Sequence, residues 1–223
     1  MNLKENTNLV FQQVTKAVQE AGREVDSVSV IAVTKYVDAS TASQLIDQGV
    51  RHIGENRVDK FLEKYQYLSD RDITWHLIGS LQRRKVKDVI AYVDYFHALD
   101  SLKLAEEIQK RANRKIKCFL QVNISGEETK HGFSKEEVMN LLPDLAKLDK
   151  IEYVGLMTMA PFEAETEELH SIFRETQELQ KEIQQKLIPN MPMSELSMGM
   201  SRDYDVAIAN GSTFVRIGTS FFK

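Results

Sequence analysis

The sequence predicts an α/β chain whose parallel strands close into a (β/α)8 TIM barrel with an extra N-terminal helix. Three observations lead there. Short apolar runs alternate with amphipathic helical stretches from end to end, about eight of each, which is the pattern of parallel strands joined by crossover helices. The run Val28–Tyr36 is apolar and β-branched and Lys117–Ile124 is apolar almost throughout, as strands covered on both faces are. No Gly-, Ser- or Pro-rich linker, internal repeat or low-complexity stretch divides the 223 residues. Residues 1–223 are therefore expected to form one domain, a size that barrels reach routinely.

Each element has its own signal. Residues 2–21 carry Val10, Val14, Ala17, Val18 and Ala21 on one face and stop at Gly22, an amphipathic helix ahead of the first strand. Val28 to Tyr36 (VSVIAVTKY) is a β-branched run ending on Lys35, and Asp38 then caps a helix bearing Ala39, Ala42, Leu45 and Ile46. His52–Glu55 is a short second strand with Asn56 at its end, before a helix with Val58, Phe61, Leu62, Tyr65 and Leu68. Ile73–Gly79 is the third strand, followed by a basic helix from Leu81. Tyr95–Leu99 is the fourth, with Asp100 or Ser101 capping the next helix. Lys117–Ile124 is the fifth. The loop SGEETKHGF then leads to Ser134 and Glu137, spaced as a capping box. Ile151–Met159 is the sixth strand, and the long helix after it carries Leu169, Ile172, Phe173, Leu179 and Ile183. Glu195–Met200 is the seventh, Asp203–Asn210 a short helix, and Phe214–Ser220 the eighth.

Composition narrows the function. A formal net charge of −4 and a pI near 5.8 argue against general nucleic-acid binding. The single cysteine, Cys118, excludes an internal disulfide and lies in an apolar run as a small core residue. The N-terminus is too polar for a secretory signal, and no apolar run approaches the roughly 18 residues of a membrane span. A cytoplasmic protein is expected. The five histidines show no metal-ligand spacing, so no metal is expected. No dinucleotide or Walker motif occurs, and Ser80, Ser125 and Ser220 have no evident His/Asp partner. The run Gln82–Lys87 reads as a solvated basic face.

Candidate chemistry gathers at the strand ends. Lys35 closes the first strand at the catalytic end of a barrel. Burial there would disfavour its ammonium form and let it react with an aldehyde; the plainer alternative is a lysine closing a strand in water. The loops after strands seven and eight, the usual phosphate site, hold Met200, Ser201, Gly218 and Thr219. Ser201 offers a hydroxyl beside a helix start, and Gly218 admits an anion close to the backbone. A helix cap and a packing glycine are the alternatives. Arg216 lies inside an apolar strand, where a permanent cation needs a partner. Either an acid such as Glu55 or Asp203 pairs with it, or it donates to a ligand.

Taken together, VIAVTKY, HIGENRV, WHLIGSLQRRK, HALDS, VNISGEETKHGF, GLMTM, LSMGMSRDYDVAI and GSTFVRIGTSFF resemble the pyridoxal 5′-phosphate (PLP) homeostasis proteins, relatives of the alanine racemase barrel (fold type III). The resemblance implies PLP as cofactor and a role in vitamin B6 balance rather than an established enzyme activity. It implies Lys35 as the Schiff-base lysine and Asn56 beside the cofactor. Met200, Ser201, Gly218 and Thr219 would lie around the phosphate, and Arg216 at the pyridine nitrogen. Position 57 is arginine, where the resemblance leads one to expect an uncharged or aromatic residue in many relatives. The implied partners are PLP and apo PLP-dependent enzymes, with no nucleic acid or membrane and the chain a monomer. Racemases of this type add a tyrosine base from a second domain, and none is expected after Lys223. A weak amino-acid racemase is the alternative function, and an aldolase-like use of Lys35 on a phosphorylated sugar is a third.

Overall fold

The computed structural model describes residues 2–127 and 131–223. Glu128–Lys130, within the expected loop SGEETKHGF, lie outside the described residues. Eight strands form one closed parallel barrel in sequence order, the last pairing with the first. They are β1 (Ser29–Val33), β2 (His52–Glu55), β3 (Thr74–Leu77), β4 (Tyr95–Leu99), β5 (Ile116–Gln121), β6 (Ile151–Met157), β7 (Glu195–Met200) and β8 (Phe214–Ile217). The crossover helices are α2 (Ala39–Asp47), α3 (Val58–Leu68), α4 (Val86–Val89), α5 (Leu102–Arg111), α6 (Lys135–Leu145), α7 (Thr166–Gln184) and α8 (Tyr204–Ala209), and α1 (Leu3–Glu20) precedes the first strand. No helix among the described residues is long and apolar enough to cross a membrane.

The helices start where their caps are. Asp38, Ser101 and Ser134 each accept the backbone N–H three residues on, and Ser134 with Glu137 completes the reciprocal capping box. One helix departs from expectation. The basic helix after β3 is broken into a 3-10 turn at Arg83–Lys85, one α turn and a second 3-10 turn at Ile90–Tyr92. Its buried face is Val86, Val89 and Ile90, β-branched residues that favour helix weakly.

Several strands stop short of their apolar runs. β1 ends at Val33, β6 at Met157 and β8 at Ile217, where a 3-10 turn (Thr219–Phe221) begins. The barrel is filled by side chains rather than open. Phe214 is the hub of its lower half, with ring centroids 5.3 Å from Tyr95, 5.6 Å from His76, 5.8 Å from Phe119 and 5.9 Å from His52. The pleat places Arg216 one layer above Phe214 on the same interior face.

Candidate functional site

All seven residues singled out from the sequence emerge on four adjacent strands. β7 pairs with β8, β8 with β1 and β1 with β2. Lys35, Asn56, Met200–Ser201 and Gly218–Thr219 follow or close those strands at their C-terminal ends, and Arg216 points inward just beneath. The barrel's closure thus brings together groups up to 184 residues apart, from Lys35 to Thr219.

The turn carrying Lys35 is anchored from below. Thr34 is buried, and its hydroxyl donates to Glu55 Oε1 at 2.5 Å. Its carbonyl accepts Lys64 Nζ at 2.9 Å, and the same Nζ pairs with Glu55 Oε1 at 2.6 Å. Lys64 and Glu55 are 1% and 0% exposed. A buried pair of this kind survives only with good geometry, and Glu55 Oε2 has no hydrogen-bond partner among the described residues. On the far side of the turn, Asp38 accepts Thr41 N–H at 2.8 Å, which holds its carboxyl below the usual range. Lys35 itself is exposed, its Nζ 4.8 Å from the Tyr36 ring centroid. Of the two readings left open by the sequence, buried or closing the strand in water, the side chain takes the second, because the ladder ends two residues earlier and the amine stands clear of the strand.

Asn56 is half-buried, and its side chain makes no hydrogen bond among the described residues. Its backbone is gripped from β3. A Cβ on Gly79 would lie 2.1 Å from the Asn56 carbonyl oxygen, so only glycine lets the two loops pass. Arg57 turns away onto the first turn of its own helix, with Nε and Nη2 donating to Asp59 at 3.1 and 2.8 Å. That contact holds the exposed Asp59 carboxyl low.

The loops after β7 and β8 meet. Ser201 is not a helix cap, since the cap position of α8 is Asp203. Its hydroxyl instead accepts the Gly218 N–H at 3.4 Å, a long hydrogen bond that joins the two loops. Gly218 also packs closely, because a Cβ there would sit 3.4 Å from Val33 at the end of β1. The Thr219–Phe221 turn begins beside it, with the outward amides of any helical start. Asp203 closes the first loop by accepting Met200 N–H at 2.6 Å, and burial raises its carboxyl. Arg202 lies 3.9 Å from the exposed Phe162 ring centroid and donates to the Phe162 carbonyl. Tyr36, Met159, Phe162 and Met200 are also exposed.

Arg216 has no carboxylate partner among the described residues. Glu55 is taken by Lys64, and Asp203 by the Met200 amide. The guanidinium donates to two neutral oxygens, Ser197 Oγ at 2.6 Å and Thr158 O at 3.1 Å. Only two of its five N–H groups are engaged there. Burial lowers its pKa to about 10, partly offset by Asp203. Three histidines dismissed for lack of metal spacing belong to the same interior. His52, His76 and His97 are hydrogen-bonded in series and reach Ser197. Burial, the first cause in each case, pushes their pKa values down, well down for His76 and His97.

What the arrangement can do follows from its donors. A hydroxyl beside a backbone N–H and a helical start suits an anion, an exposed amine suits a carbonyl, and a guanidinium short of acceptors suits a neutral acceptor atom.

Comparison with known proteins agrees with this layout. The family model described as alanine racemase, N-terminal domain, matches residues 11–223. The pyridoxal phosphate homeostasis protein of Aquifex aeolicus is 39% identical over 225 residues, covering 100% of this chain and 98% of that protein. PipY of Synechococcus elongatus, solved with PLP bound, superposes with a TM-score of 0.84 at 33% identity, covering 94% of this chain and 100% of that one. An alanine racemase of Clostridium difficile has a TM-score of 0.73 at 17% identity, covering 95% of this chain and 56% of the racemase; at that identity the likeness is one of fold. On its family match and its full-length identity to such relatives, the chain belongs to the pyridoxal phosphate homeostasis protein family, built on the alanine racemase N-terminal barrel.

Proposed function

We propose that this chain holds PLP at the mouth formed by β7, β8, β1 and β2 and serves cytoplasmic PLP homeostasis, buffering or delivering the cofactor and so affecting amino-acid and keto-acid metabolism. The observation that carries the reading is the donor set on those four strands: an exposed amine, a hydroxyl joined to a backbone N–H, and a guanidinium without a carboxylate. Family membership supports it, as does the PLP-bound state of the PipY relative.

When bound, PLP supplies an aldehyde for an amine and a ring that withdraws electrons strongly only when its nitrogen is protonated. Lys35 is the amine in reach of solvent and ligand at the mouth. Ser201, with the amides of Gly218 and Thr219, holds the phosphate, and Met200 and Asn56 flank the ligand. Arg216 has donors and no acceptor, so the atom it faces must accept, which keeps the ring nitrogen unprotonated. A ring held that way stabilises a carbanion weakly, and holding and release are favoured over turnover.

Two measurements test this. Mixing the PLP-loaded protein with an apo PLP-dependent enzyme restores that enzyme's activity. With L-alanine in deuterated water, α-proton exchange is far slower than the roughly 1–10³ s⁻¹ of ordinary enzymes. Exchange at an enzyme-like rate would overturn the carrier reading in favour of a racemase.

A further inference from the structure

Arg216 ends a chain of hydrogen bonds that crosses the barrel interior from top to bottom. Its Nη1 is 2.6 Å from Ser197 Oγ, which is 2.8 Å from His97 Nδ1. His97 Nε2 is 2.9 Å from His76 Nδ1, and His76 Nε2 is 2.9 Å from His52 Nδ1. Four strands contribute after β8: β7, β4, β3 and β2. His52 is the first residue of β2, half-buried at the N-terminal end of the barrel. Aromatic rings wall the chain. Phe119 stacks on His97 at 4.4 Å, Tyr95 on His76 at 4.9 Å, and Phe214 lies against all three imidazoles.

The direction of every bond is fixed by Arg216. A guanidinium only donates, so Ser197 Oγ accepts from it. The other contact of the Ser197 hydroxyl among the described residues is His97 Nδ1. Its proton therefore goes to that nitrogen, and His97 must carry its own proton on Nε2. That proton goes to His76 Nδ1, which puts the His76 proton on Nε2, facing His52 Nδ1. His52 then keeps its proton on Nε2, at the open end. No carboxylate is hydrogen-bonded to any of the three rings among the described residues, so nothing along the way reverses the order.

We propose that Ser197, His97, His76 and His52 are positioning residues for Arg216, a one-way hydrogen-bonded chain that fixes the guanidinium by accepting from it and connects it to the N-terminal mouth of the barrel. The consequence for a bound ring rests on the role proposed above for Arg216; the chain itself does not. The chain also resists protonation at its open end. A second proton on His52 belongs on Nδ1, which faces the His76 N–H. Accommodating it turns His76 and His97 to the other tautomer and leaves the Ser197 proton without an acceptor. The other charged or titratable groups on the same interior face are Tyr95 on β4, Lys117 on β5, Glu152 on β6, Glu195 on β7 and Arg216 on β8, by strand alternation. Lys117 donates to the Tyr95 hydroxyl at 3.3 Å.

Long-range ¹H–¹⁵N spectra of the ligand-free full chain at neutral pH read the tautomers directly. The expected result is three neutral rings, each protonated on Nε2 and bare on Nδ1; a proton on Nδ1 of His97 or His76 would overturn the chain, and no variant is needed to see it. The Ser197→Ala change then removes the acceptor that sets the direction. The His52 titration should move up, although the two residues do not touch, and Ser197→Thr, which keeps the hydroxyl, should return it. An unmoved His52 in Ser197→Ala means that Ser197 only packs, and refutes the proposal. PLP affinity of an Arg216→Lys variant tests the role of Arg216 at the ring separately, since these spectra are taken without ligand.

Discussion

Removing Lys64 should cost more stability than almost any other single change outside the apolar core. Lys64 and Glu55 are buried with 2.6 Å between Nζ and Oε1, and Lys64 also satisfies the carbonyl of Thr34. Methionine is similar in length and fills much the same space, so Lys64→Met removes the charge while disturbing the packing little. Among the described residues it leaves a buried carboxylate with one hydroxyl donor, from Thr34, and with Oε2 already lacking a partner. Breaking a buried pair from one side costs about 3–5 kcal/mol. For a chain of this size each kcal/mol is worth about 2–4 °C in Tm, so a fall of about 6–20 °C is expected. The double variant Lys64→Met/Glu55→Leu removes the stranded charge and should recover most of the loss. Urea unfolding is the assay, followed by far-UV circular dichroism and by fluorescence of Trp75, the only tryptophan. Trp75 packs on Phe61 and Tyr65 of α3 at 5.3 Å, so it reports on the helix that carries Lys64, and coincidence of the two probes checks two-state behaviour. A loss under about 1 kcal/mol in Lys64→Met, or a double variant no better than the single, would refute the reasoning.

Two further outcomes follow. Ser201→Ala removes one hydrogen bond to an anion, worth about 1.5–3 kcal/mol, so the Kd for PLP should rise about ten- to a hundredfold; an unchanged Kd in an equilibrium titration would put the anion elsewhere. Acid should destabilise the fold before its carboxylates titrate. His76 and His97 are held well below 6.5 by burial, so as pH falls past 6.5 the unfolded chain binds protons that the folded one refuses, and stability drops with pH. One unit below that value each ring accounts for about 1.4 kcal/mol, or about 3 kcal/mol together; a flat urea-derived stability between about pH 7.5 and 5.5 would contradict the buried neutral rings.

The strands and their order were legible because a parallel barrel writes itself as alternating apolar runs and amphipathic helices. Their ends were less so. Apolar character continues through Thr34 and past Ile217, while pairing stops at Val33 and Ile217, and the exposure of Lys35 depends on that difference. The site positions were readable as strand ends; the partner of Arg216 was not, since two neutral oxygens leave no mark in a sequence that offers acids to pair with it. His52, His76 and His97 lie 24 and 21 residues apart on successive strands and meet only when the barrel closes. A search for metal-ligand spacing passes over them, whereas one polar residue recurring on three adjacent strands is the signal that points to a shared interior layer. Lys64 carried a signal too: it stands three residues after Phe61 and four before Leu68, on the helix face that is buried.

The most direct test of the central claim is to load the protein with PLP, reduce it with borohydride and map the modified peptide by mass spectrometry. The predicted result is a pyridoxyl group on Lys35, lost in Lys35→Ala with the fold intact. A pyridoxyl group on another lysine, with Lys35 unmodified, would contradict the placement of the cofactor at the mouth of β7, β8, β1 and β2.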